Sequence, residues 1–102
     1  MQALQTLDLT SNKMKLVTLK DLGHLELLYL RYNQLTTLPK LVNCICLKEL
    51  QMGNNFLTAI SSQDLESIKN IKILELRENK IASLPDTIDT LAQLERLDLS
   101  RK

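Results

Sequence analysis

With 102 residues and a 44% apolar composition, the chain has room for one domain with its own core. Its net charge of +1, with acids and bases evenly mixed, offers no field to steer nucleic acid or an anionic membrane, so neither is expected as a partner. Aromatic residues make up only 3% while leucine fills 24 positions, so the core has to be built by repeating one side-chain shape.

The first predicted element is a short strand around Leu4, Leu7 and Leu9, whose LxxLxL spacing alternates as a strand with one buried face requires. The spacing returns at Leu25, Leu28 and Leu30, at Leu47, Leu50 and Met52, at Ile71, Leu74 and Leu76, and at Leu94, Leu97 and Leu99. First positions lie 21, 22, 24 and 23 residues apart, which divides the chain into units 4–24, 25–46, 47–70, 71–93 and a truncated 94–102. Three residues after each of the first four strands stands an asparagine: Asn12, Asn33, Asn55 and Asn79. Its amide both donates and accepts, so the column is expected to form a ladder inside the stack that satisfies backbone groups where the chain turns away.

The returning segments carry two further apolar columns, Leu19, Leu41, Leu65 and Ile88, then Leu22, Cys44, Ile68 and Leu91. Both are expected to point inward from the convex side. In the second unit, LPKLVNCICL is expected to make an irregular or 3₁₀ turn. In the third, SSQDLESI offers Ser61 or Ser62 as the cap of a short helix, with Leu65 and Ile68 at helical spacing. In the fourth, Pro85 can open a helical turn.

The pattern LxxLxLxxNxLxxL(P) resembles the leucine-rich repeat over essentially the whole chain. The resemblance implies an α/β solenoid, a horseshoe arc with a parallel β-sheet on the concave face and short helices, 3₁₀ turns or loops on the convex face. The stretches LELLYLRYNQLTTLP, LKELQMGNNFLTAI and IKILELRENKIASLPDTIDTLAQLERLDLS are similar to the intracellular leucine-rich repeat-containing protein 40 family. More broadly they resemble cytoplasmic LPxxI-type repeat proteins, some of which are scaffolds in Ras-family signalling. That resemblance implies a protein-binding role without a defined ligand.

Lys102 falls where the other units place asparagine, and Met1 to Ala3 form no polar cap. Solenoids cover their ends with capping units, so a fragment of a longer chain is expected, with self-association through uncapped ends as the alternative. Met1 to Leu9 lacks the pattern of an export signal. Cys44 and Cys46, one residue apart, are poorly placed to bridge, and no asparagine lies in an N-x-S/T triplet. Free thiols suit a reducing compartment, so the cytoplasm is the expected location.

Chemistry finds little support. His24, Cys46 and Asn70 share the column before the first position and match the residue types of a thiol protease. No oxyanion donor or glycine-rich turn accompanies them, so no enzyme activity is expected. C-I-C with a single histidine lacks a fourth metal ligand, and neither metal nor other cofactor is expected. Cys44 is expected inside, as a small hydrophobe.

The informative positions are therefore the strand residues that face away from the core. The chain's two tyrosines, Tyr29 and Tyr32, flank Arg31, and tyrosine and arginine dominate binding hot spots. Arg31 and Arg77 share a column with Gly53 between them, suggesting a gap flanked by two guanidinium groups able to take a carboxylate. Leu27 and Ile73 add exposed apolar area, and Glu75 has Arg77 or Arg96 as alternative ion-pair partners. The expected partner-binding set is Tyr29, Arg31, Tyr32, Gln51, Glu75 and Arg77, serving a non-catalytic interaction or scaffolding module. A recognition segment of a larger enzyme and a fragment of an extracellular receptor ectodomain are the alternatives.

Overall fold

The fold is given by a computed structural model that describes residues 4–99. Five three-residue strands, β1 (Thr6–Asp8), β3 (Leu27–Tyr29), β5 (Glu49–Gln51), β6 (Ile73–Glu75) and β7 (Arg96–Asp98), form one parallel sheet in the order β1-β3-β5-β6-β7. Its register follows the leucine columns: Leu7 pairs with Leu28, Leu28 with Leu50, Leu50 with Leu74 and Leu74 with Leu97. Because alternate strand residues face opposite sides, this register puts every leucine of that column into one spine. Leu28, Leu50 and Leu74 are fully buried, and the core continues through Leu25, Leu30, Leu47, Met52, Ile71 and Leu76.

Inside the turn that leaves each strand, Asn33, Asn55 and Asn79 are buried. The Asn55 amide donates to the carbonyls of Leu30 and Met52, each at 2.9 Å, and its oxygen accepts from Leu35 N–H at 3.1 Å. Asn33 and Asn79 repeat the arrangement, so each amide ties its own unit to the one before it. The ladder is thus built from side chain to backbone, rung by rung. Asn12 departs from the expectation: it is exposed, and its amide reaches only its own unit, at the Thr10 carbonyl. Among the described residues no earlier unit supplies carbonyls for it to bind.

Just before each asparagine the backbone enters the left-handed region, at Ser11, Tyr32, Asn54 and Glu78, with φ between 56° and 62°. A side chain there normally costs about a kcal/mol or more, least for asparagine. The recurrence in every unit makes it a property of the turn, imposed by the need to redirect the chain over the asparagine.

The convex side departs from the sequence-based expectation. Lys40–Val42 is a strand, β4, rather than an irregular or 3₁₀ turn, and it pairs in parallel with β2 (Thr18–Lys20) as a second, two-stranded sheet. Each strand is followed by a left-handed residue, Asp21 or Asn43, and the Asn43 side-chain amide donates to Asp21 Oδ1 at 3.1 Å. The third unit turns instead into helix α1 (Ser62–Glu66), and the fourth into a 3₁₀-helix at Asp86–Thr90 that follows Pro85. Ser61 caps α1 in a capping box: its hydroxyl accepts Asp64 N–H at 3.1 Å while Asp64 accepts Ser61 N–H at 3.2 Å.

Unit length accounts for the switch. A strand advances about 3.3 Å per residue, a 3₁₀-helix about 2.0 Å and an α-helix 1.5 Å. Returning over one width therefore takes most residues as α-helix and fewest as strand. The units follow that order, with 21 and 22 residues where the return is a strand, 23 where it is 3₁₀ and 24 where it is α. Of the inward columns, Leu41, Leu65, Ile68 and Leu91 are buried, as is Cys44, whose thiol approaches the carbonyls of Val42 and Leu19 at 3.5 and 3.8 Å, while Leu19, Leu22 and Ile88 are half-buried and pack against that core.

Candidate functional site

The outward face of the five-stranded sheet gathers the side chains selected from the sequence. Tyr29 lies half-buried at the end of β3, Arg31 follows it, and Tyr32 is 54% exposed on the turn. The Arg31 guanidinium carbon stands 5.5 Å from the centre of the Tyr32 ring, within cation–π range. Leu27 and Ile73, expected to be exposed, are half-buried against their neighbours on the sheet face.

The expected gap over Gly53 is filled from within. Glu75 reaches back across the sheet, and its Oε1 accepts the Gly53 N–H at 2.8 Å. Its Oε2 lies 4.0 Å from Arg31 Nε, and both atoms are buried with no hydrogen-bond partner among the described residues. Glu75 thus pairs with Arg31 rather than with Arg77 or Arg96. A Cβ at position 53 would lie 2.6 Å from Glu75 Oε2, so the arrangement requires glycine there. Arg77 faces Asp98, with Nε 3.8 Å from Oδ2. Gln51, expected to be free for a partner, donates to Glu49 Oε2 at 2.6 Å. A depression of about 200 Å³ between Arg31, Gln51, Glu75, Arg77 and Arg96 is the concavity that remains.

Of the six residues, the structure brings Tyr29, Arg31 and Tyr32 together as an outward cluster and commits Gln51, Glu75 and Arg77 to neighbours on the sheet. The expected set left out Asp98 and did not foresee that Glu75 fills the space over Gly53. A signal existed: the fifth position of the repeat carries a carboxylate at Asp8, Glu75 and Asp98, two residues before the arginine column and on the same face. Phe56, 56% exposed on the turn of the third unit, was also missed, having no apolar column to mark it.

Asp8, at the start of the sheet, instead turns its carboxylate to a backbone N–H of its own unit. Its carboxyl titrates below its ordinary value of 3.8, because the Thr10 hydroxyl and the Thr10 N–H, at 3.0 Å from Oδ1, stabilise the charged form. In the column that matches the residue types of a thiol protease, His24 is exposed, and the Asn70 amide donates to the Ile45 carbonyl at 3.0 Å. Among the described residues no group of three or more His, Cys, Asp or Glu side chains could hold a metal ion, and no helix is long and apolar enough to cross a membrane.

A stacked parallel sheet on one side, variable returns on the other and asparagine rungs between them define a repeat solenoid of the class that presents its sheet as a surface. Family models for the leucine-rich repeat match residues 24–44 and 45–101, and the chain belongs to the leucine-rich repeat family. It is 36% identical over 95% of its length to leucine-rich repeat-containing G-protein coupled receptor 5 of Rattus norvegicus, and 35% identical over 74% to Toll-like receptor 5 of Homo sapiens. It is 30% identical over 81% of its length to leucine-rich repeats and immunoglobulin-like domains protein 3 of Homo sapiens. The chain spans 11%, 9% and 8% of these relatives, about a tenth of each. Leucine-rich repeat domains generally mediate protein–protein interaction and are generally non-catalytic.

Proposed function

We propose that the chain is a non-catalytic binding module that takes a protein partner on its concave sheet, centred on Tyr29, Arg31 and Tyr32. The observation that carries this reading is the outward cluster of both tyrosines and a half-exposed arginine on a sheet whose backbone is fixed by five-strand pairing. Rigid presentation reduces the ordering entropy lost on docking, and these side-chain types concentrate binding energy. Gln51, Glu75 and Arg77 belong to the same surface as its polar surround.

The test is a photo-crosslinking amino acid placed at Tyr29 in the full-length protein, with Gln63 on the convex side as control. Adducts to a discrete protein from position 29 and not 63 are expected. Adducts from 63 alone would move the binding face to the convex side.

A cytoplasmic setting, as in the leucine-rich repeat-containing protein 40 family, belongs to the same proposal. It is supported by two free cysteines, one of them buried, and by the lack of an N-x-S/T triplet. The second reading, a segment of a receptor ectodomain, is favoured by the similarity to two proteins named as receptors. Fractionating cells that express the full-length protein separates the two: protection of the repeat from external protease supports the first, cleavage the second.

A further inference from the structure

We infer that Glu75 is a positioning residue of this surface, a built-in carboxylate that occupies the slot over Gly53 and holds Arg31 over Tyr32. The inference rests on the concave sheet being the binding face, and it assigns one of the proposed contact residues a different task. Glu75 is the more deeply buried member of the pair, its side chain 13% exposed against 34% for Arg31. Its two oxygens are divided: Oε1 is anchored on the Gly53 N–H, and Oε2 faces the Arg31 Nε. The anchor fixes where the negative charge sits, because a backbone N–H cannot change rotamer. Arg31 is then drawn toward that charge on one side and over the Tyr32 ring on the other.

At 4.0 Å the pair makes no hydrogen bond, so the hold on Arg31 is electrostatic and leaves its guanidinium directed by charge alone. Two consequences follow for recognition. No partner carboxylate enters the slot over Gly53, since one from the protein is already there. The partner meets Arg31 along the outer edge of the guanidinium, with the Tyr32 ring beside it. Gly53 is the enabling residue, because a Cβ there would lie 2.6 Å from Oε2 and force the carboxylate to shift.

The experiment reads Arg31 directly, by side-chain NMR of the chain without any partner. In the parent chain the Arg31 δ-protons should show an upfield ring-current shift from Tyr32, absent in Tyr32→Leu. Glu75→Ala and Gly53→Ala should both abolish most of that shift while the backbone amide spectrum stays folded, with Glu75→Gln as the conservative variant that keeps the acceptor but not the charge and recovers it only in part. Sodium acetate should restore the shift in Glu75→Ala, by supplying a carboxylate to the vacated slot, and should not restore it in Gly53→Ala, where Cβ fills that space. Sodium chloride at equal ionic strength should do neither. An Arg31 shift unchanged by Glu75→Ala, or acetate acting no differently from chloride, overturns the inference. Crosslinking from Tyr29 is indifferent to these results, so failure here and failure of the concave binding reading are told apart.

Discussion

The two sides of the solenoid are made from the same four units yet behave differently. On the concave side every unit contributes the same three-residue strand in unbroken register, whereas the convex side passes from strand to α-helix to 3₁₀-helix within four returns. The difference shows what each side is answerable to. Strand pairing is a relation between units, so one leucine out of column would disturb two neighbours at once. A return segment needs only to deliver two apolar side chains inward and span one width, and local capping and unit length then select its conformation.

The sharpest way to break this comparison is a truncation on each side. Leu50→Ala in the middle strand should cost about 2–5 kcal/mol of unfolding free energy, because its fully buried site is ringed by the leucines of both neighbouring units. Leu41→Ala, 8% exposed in β4, should cost less in the same urea titration. Equal losses would mean that the convex sheet is as tightly coupled as the concave one.

The asparagine column sharpens the point within a single set of chemically identical residues. Asn55→Ala strands the Leu35 N–H in the interior and takes one of two partners from each of the Leu30, Met52 and Gly53 carbonyls, and should cost about 1–3 kcal/mol, since a buried group left without a partner is expensive. Asn12→Ala, at an exposed rung, should cost under about 1 kcal/mol in the same measurement. On the convex side, Ser61→Ala removes the capping box and should cost about 1 kcal/mol with a small loss of far-ultraviolet helical signal. The strand signal of the concave sheet should not change.

The smallest effect is the titration of Asp8. Its folded carboxyl titrates below 3.8, so its contribution to stability is complete above that value and is lost as pH falls through the lower folded value. Asp8→Asn should flatten the acid limb of the stability profile slightly, and Thr10→Val should do the same, because the Thr10 hydroxyl is the larger of the two supports.

Legibility followed the same division. The five strands, their register and the inward columns could be read because each depends on apolar spacing, which the leucines state outright. The Ser61 cap could be read because a capping box is local. β4 could not: Lys40, Leu41 and Val42 alternate too briefly to distinguish a strand from a turn, and pairing with Thr18–Lys20 decides it. At the candidate site the columns placed Arg31, Gly53 and Arg77 correctly side by side. They gave no sign that Glu75 reaches backward across the sheet to fill the space between.

What this sequence determined by itself is a periodic quantity: one apolar row, one asparagine row and a unit length, repeated closely enough to dictate a stacked solenoid. What only tertiary structure decided is which polar side chains are satisfied internally and which are left outward. The reason is physical. Burial of an apolar column depends on spacing along the chain, but an ion pair or a side chain resting on a neighbour's backbone N–H depends on distances between units and on which rotamers remain open there. Spacing is written in residue order, and those distances exist only once the units have stacked.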